Sequence, residues 1–227
     1  MSNDATPQSA QPALRVVDAA VRLSTRTAGP RCACYAAWSE LLASPHEVDV
    51  RESLQQKLGI VSELDTIDCA LDEIIRAYLE QEPLEIRRQY SGLFEVGSDG
   101  PPVPIREDLQ AGQRSGTRED LVRFYDYFDY RLDQGFAWQP DHLSVELEFM
   151  HYLCYGESRN DDNVSSFQLA QADFSTRHLA NWVPQLSRKV ERVSAGTLFS
   201  NVLAGLSDFL LADLRWQNDS IREMDAG

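Results

Sequence analysis

The side chains of this chain best placed to do chemistry gather at Pro140-Asp141-His142, with Glu146 one helical turn on and Glu148 and His151 just beyond. Three chemistries can be weighed there. Glu148-Phe149-Met150-His151 has the Glu-x-x-His spacing of carboxylate-bridged di-metal bundles, but such sites need a second copy and two further glutamates. One copy is present. His142 and Glu146, also one turn apart, lack an evident third ligand, so no metal and no cofactor is expected. Asp141 at a helix amino terminus gains about 0.3–1 kcal/mol from the helix dipole, which makes simple capping one reading. The other reading is recognition. Asp141, His142 and Glu146 would present polar groups beside an aromatic groove of Tyr125, Phe128 and Trp138. From Thr117 to Glu157 there are nine acidic and three basic residues. Charge-assisted hydrogen bonds from guanidinium groups contribute about 1.5–3 kcal/mol each. Such a groove suits an apolar peptide preceded by arginines.

Other catalytic signatures are missing from the sequence. It has no glycine-rich phosphate loop ending in Lys-Ser or Lys-Thr, no Gly-x-Ser-x-Gly elbow and no zinc-type Cys/His spacing. A non-enzyme is therefore expected. Cys32 and Cys34 would lie about 200° apart around a helix and cannot face one metal. With Cys69 and Cys154 they read as buried, reduced thiols.

The elements that must position the Pro-Asp-His corner read as an αα-hairpin. Leu121, Phe124, Tyr125, Phe128 and Leu132 recur at three- and four-residue steps, one stripe of a helix. Gly135 stops it, and Pro140 fits the first turn of the next helix. Leu143, Leu147, Met150 and Cys154 then step along one face. Elsewhere the pattern gives helices over 13–26, 31–42, 47–58, 63–82, 84–94, 167–182 and 198–214. Gly29-Pro30 is read as a break, and Pro184 as a kink or restart. His178, Trp182 and Met150 fall on apolar stripes and read as core. Gly97 to Gly116 holds four Gly and three Pro and reads as a long loop. No strand shows convincing alternation. The expectation is an all-α, single-domain helical bundle of about eight or nine helices. Residues 1–29 would be a flexible tail with room for one short helix, 30–216 the helical domain and 217–227 a polar tail.

Composition bounds the function class. Hydrophobic residues make up 43% and charged residues 25%, a folded chain without the roughly 20-residue apolar run of a membrane span. The start, Met1 to Pro12, has no apolar core and reads as neither signal nor anchor, so a cytoplasmic location is expected. A net charge of −15 repels phosphate backbones, which argues against nucleic acid and for a basic partner. Monomer and homodimer both remain open.

Longer matches add a resemblance. Phe124-Tyr125, Pro140-Asp141-His142-Leu143 and Glu146-Leu147-Glu148-Phe149-Met150 together resemble the hallmark of the TorD/DmsD/NarJ family, the cytosolic chaperones of molybdoenzyme maturation. Tyr90-Ser91-Gly92-Leu93-Phe94 is similar to the family's aromatic-x-x-Leu-Phe segment. Phe174, His178-Leu179 and Trp182 resemble its Phe…His-Leu…Trp helix. The likeness spans about residues 31–214. The loop from Pro101 to Asp108 looks most like the subgroup serving ethylbenzene and dimethylsulfide dehydrogenases and selenate or chlorate reductases.

This resemblance implies a TorD-like fold and a non-catalytic chaperone. It would bind the twin-arginine signal peptide of a molybdenum-containing, molybdopterin-dependent catalytic subunit, and assist cofactor insertion and assembly before export. The peptide-binding positions it implies are Tyr125, Asp141, His142, Glu146, Phe149 and the loop residue Glu107, although no tyrosine follows Glu107 closely. Trp138-Gln139 stand where many members carry an acidic residue. Two other readings stay open: an accessory assembly subunit without peptide binding, and a helical metalloprotein.

Overall fold

The computed structural model describes residues 14–61, 70–98, 100–110, 116–132, 139–159 and 163–224. A short strand, β1 (Leu14–Val17), comes first, and α1 (Ser24–Leu42) follows. The helix expected over 13–26 is thus a strand and turn that lead into α1. Nor does Gly29-Pro30 break the chain: Pro30 lies inside α1. An interior proline removes one helical hydrogen bond and crowds the preceding turn, at about 3 kcal/mol. Burial beyond it outweighs that cost, because Cys34, Tyr35, Trp38, Leu41 and Leu42 are all sealed in the core.

Next come α2 (Arg51–Lys57), α3 (Leu71–Glu80) and α4 (Pro83–Phe94), the last with proline in its first turn, where a missing N–H is harmless. The front of the helix expected over 63–82 lies outside the described residues. The Gly/Pro loop contains a single turn of helix, α5 (Glu107–Gln110). Then follow α6 (Thr117–Tyr127), α7 (Leu143–Ser158), α8 (Val164–Arg177), α9 (Leu179–Ser194), α10 (Leu198–Asp219) and β2 (Ile221–Met224). Among the described residues this makes ten helices, against the eight or nine expected. Of the kink or restart expected at Pro184, no restart occurs: α9 runs through Pro184, and the break between helices falls at His178. Leu179, Trp182, Val183, Leu186 and Val190 form the buried stripe that holds α9 together.

Two short strands overturn the expected absence of strands. β1 pairs antiparallel with β2, from Leu14 opposite Met224 to Val17 opposite Ile221. Asp18 N–H also donates to the Ser220 carbonyl at 2.8 Å. The boundaries drawn at 29/30 and 216/217 therefore fall inside α1 and α10, and Gln217 and Ser220 are fully buried.

The core lies where α1 runs along α7 and α10 crosses both α1 and α3. Tyr35 and Trp38 pack on Phe209, with ring centroids 5.1 and 6.1 Å apart. Gly205 permits that crossing: a Cβ there would lie 2.5 Å from Ile74 Cδ1 and 3.1 Å from the Trp38 ring. Cys34 and Cys154 are buried, whereas Cys32 is half-buried, its Sγ 3.2 Å from His151 Nδ1. Cys69 lies outside the described residues. No helix among the described residues is long and apolar enough to cross a membrane.

A buried ionic network closes the far end of α7. Glu157 is the penultimate residue of α7 and fully buried. It accepts from Arg22 Nε at 2.9 Å and Nη2 at 2.5 Å. Arg31 bridges it to Asp213, donating from Nε at 2.7 Å and Nη2 at 2.9 Å. Gln168 and Gln171 donate to Glu157 at 3.0 and 2.9 Å, and Tyr35 donates to Asp213 at 2.6 Å. Two cations face two anions, so the group is neutral as a whole. Partners on both sides satisfy most of its polar atoms, the condition under which buried charge is tolerated.

Candidate functional site

The opening of α7 is set by His142. Its backbone is extended, and its Nδ1 accepts from the Ser144 N–H at 3.2 Å. That makes His142 the N-cap, so α7 starts beyond Pro140 and the cap is not Asp141. An accepting Nδ1 assigns the ring proton to Nε2, which lies 3.4 Å from the Tyr90 hydroxyl. Burial, the largest cause, pushes His142 down to about 4, leaving it neutral near pH 7.

The Gly/Pro loop is stitched to this corner. Glu107 N–H donates to the Asp141 carbonyl at 3.0 Å, and Leu143 N–H donates to the Ile105 carbonyl at 3.1 Å. Arg106 and His142 thereby form an isolated antiparallel bridge. The Arg106 guanidinium grips the buried Asp141 carboxylate, Nε to Oδ2 and Nη2 to Oδ1, both at 3.2 Å. Arg118 Nε, from α6, stands 3.5 Å from Asp141 Oδ1. Burial alone would raise the Asp141 carboxyl, but hydrogen bonds with Asp108 and Arg106 hold it below its ordinary value. Asp108 responds in the opposite direction: burial and the neighbouring Asp141 push it up to about 6.

One turn into α7, Glu146 is completely buried. Trp182 Nε1 donates to its Oε2 at 3.3 Å, while Oε1 has no hydrogen-bond partner among the described residues. Burial, reinforced by the field of Glu107, pushes this carboxyl well above its ordinary value. Glu107 is itself buried and pairs with His178 Nδ1 at 2.9 Å. Tyr125 donates to the Pro140 carbonyl at 2.8 Å and is also buried. Phe149 sits at the centre of an aromatic cluster, its ring 4.8 Å from Tyr125, 4.9 Å from Phe174 and 5.3 Å from Tyr130.

All six residues singled out from the sequence therefore cluster around the mouth of α7, but not as an open groove. Tyr125, Glu146 and Phe149 are core, Glu107 and Asp141 are sealed by partners, and Trp138 lies outside the described residues. Of the expected aromatic wall, Tyr125 is packed into the core, whereas Phe128 is half-buried. The opening lies on the other side of His142. A cavity of about 410 Å³ is walled by Tyr90, Phe94, Ile105, Arg106, Leu109 and His142, with Glu47 and Glu95 also lining it. The sequence reading did not assign Arg106, Leu109 or Arg118 to the site. A signal existed for the cavity, because Tyr90-x-x-Leu93-Phe94 supplies one wall and the proline loop the other. A second cavity, about 610 Å³, lies between α6 and α8 over Phe124, Phe128 and Leu169.

The family model for the nitrate reductase delta subunit matches residues 61–188. The chain is 38% identical over 118 residues to the chlorate reductase assembly chaperone protein of Ideonella dechloratans, covering 50% of this chain and 60% of that protein. It is 36% identical over 118 residues to the selenate reductase assembly chaperone protein of Thauera selenatis, with the same shares. The chain thus spans about 60% of the length of these curated relatives. Over 163 residues it is 24% identical to the chaperone protein TorD of Shewanella pealeana, 66% of this chain and 68% of that one. A crystal structure of a candidate redox enzyme maturation protein from Archaeoglobus fulgidus superposes with a TM-score of 0.50 at 18% identity, covering 79% of this chain and 93% of that chain. That likeness shows the shared all-α fold. The chain belongs to the nitrate reductase delta subunit family, the TorD-like family of molybdoenzyme maturation chaperones.

Proposed function

We propose that this protein is a cytosolic, non-catalytic chaperone. It binds the twin-arginine signal peptide on the precursor of a molybdenum-containing catalytic subunit and assists cofactor insertion and assembly before export. The observation that carries this reading is the cavity beside His142. There the apolar walls Tyr90, Phe94, Ile105 and Leu109 lie next to a buried carboxylate, Asp141, that already takes guanidinium ligands. A peptide with arginines followed by an apolar run is complementary to both halves: guanidinium groups pair with a carboxylate through two hydrogen bonds, and apolar side chains fill the cavity. Glu47 and Glu95 in the lining, with a net charge of −15 overall, favour a basic partner.

On this reading Asp141 and His142 form the recognition corner. Tyr125, Phe149, Glu107 and Glu146 hold that corner in place from beneath. The chemistry of the corner suits binding more than turnover. His142 uses Nδ1 to cap a helix, and Glu146 is sealed in the core against Trp182. The relatives named as chlorate, selenate and perchlorate reductase assembly chaperones point to an oxyanion-reductase type of client.

Titration with a synthetic peptide carrying paired arginines before an apolar run tests the reading. Saturable one-to-one binding is expected, weakening by about tenfold or more when both arginines become Ala, since each charged hydrogen bond contributes about 1.5–3 kcal/mol. Equal affinity for the two peptides would remove arginine recognition from the account.

A further inference from the structure

We infer that the arginine site at Asp141 is occupied in cis: Arg106 and Arg118, from two separate elements, stand in for the paired arginines of the client, which reaches the carboxylate by displacing them. This inference rests on the function proposed above and adds how the site is regulated. Asp141 is fully buried, and both of its carboxylate oxygens face guanidinium groups of its own chain. A bare carboxylate at that depth would be strongly destabilising. Exchange of one guanidinium for another keeps the charge paired throughout.

Two details make the exchange workable. Arg106 touches Asp141 and also lines the 410 Å³ cavity, so moving that one side chain joins the cavity to the carboxylate. Its Nη2 also donates to Asp108 Oδ2 at 3.1 Å, which gives the displaced guanidinium a second anion to rest on. Arg118 is 43% exposed at its side chain and can swing into solvent. The device sets a threshold. A lysine-bearing or purely apolar segment offers no planar fork to replace the bidentate grip of Arg106, whereas paired arginines do. The cis-occupied state also lowers the apparent affinity by the fraction of molecules that are open.

The test compares the wild type with Arg118→Ala and Arg106→Ala, titrated with the paired-arginine peptide and with the same peptide carrying lysines. Each variant should bind the arginine peptide about three- to tenfold more tightly, as the competent fraction rises. Discrimination against the lysine peptide should shrink. Thermal melting checks the fold, and if Arg106→Ala does not fold, the surface change Arg118→Ala decides alone. A wild type that binds while the folded variants bind equally or more weakly overturns the cis-occupancy inference and leaves the function standing. No binding by the wild type or either variant overturns both.

Discussion

Glu157→Ala is expected to destabilise the protein by about 3–5 kcal/mol, because it strips the shared anion from two fully buried arginines. Arg22 would lose its ion-pair partner, while Arg31 would keep Asp213. Since Arg22 fastens the segment between β1 and α1, loosening should begin at the β1–β2 ribbon. Urea unfolding followed by circular dichroism measures the change, and a loss below about 1 kcal/mol would contradict a central role for the network. The same group predicts a pH dependence. Burial would raise the Glu157 carboxyl, but hydrogen bonding and charge from Arg22, with Arg31 and Gln168, bring it from 4.5 down to about 2. A folded value below the unfolded one contributes stability that is complete above about pH 4.5 and lost as pH falls towards 2. Asp213, lowered chiefly by Arg31 against its own burial, acts in the same direction. Glu157→Gln should show a shallower acid limb than the wild type.

Phe149→Ala is the second large effect, also about 3–5 kcal/mol, from deleting the ring at the centre of an aromatic cluster. The change removes edge-to-face contacts on several sides and leaves a void that α6 and α8 cannot both fill. Phe149→Leu, which keeps most of the volume, should retain peptide affinity close to the wild type. If Phe149→Ala instead proved stable and lost only peptide binding, Phe149 would return to the recognition surface.

What was readable from the sequence follows the physics of each element. The stripes through Leu121 and Tyr125 and through Leu147 and Met150 are buried as periodicity implies, but α6 ends at Tyr127, short of Leu132 and of the stop expected at Gly135. Pro30 and Pro184 misled because local propensity is a weak force beside tertiary burial, and both prolines sit in helices anchored by core residues. β1 and β2 are four residues each, too short for alternation to register, and they are stabilised by pairing across the length of the chain. The ionic network had no local signature: Glu157 meets Arg22 across 135 residues, and Asp213 meets Arg31 across 182.

At the site, residue types and spacing located the corner but not its depth. Asp141, His142 and Glu146 read as a polar face, because charged side chains are seldom buried unless paired. The partner that permits burial, Arg106, lies 35 residues away in a loop whose glycines and prolines carry no periodicity. Glu146 is buried by another route, held by Trp182, which a stripe-based reading had placed in the core without its polar contact.

A double-mutant cycle between Asp141→Asn in the protein and Arg→Ala in the paired-arginine peptide tests the central claim most directly. The account predicts strong coupling, about 1.5–3 kcal/mol, with the peptide change having little effect once Asp141 is neutral. Additive effects, with the arginines equally important to both proteins, would mean that the peptide is recognised somewhere other than the mouth of α7.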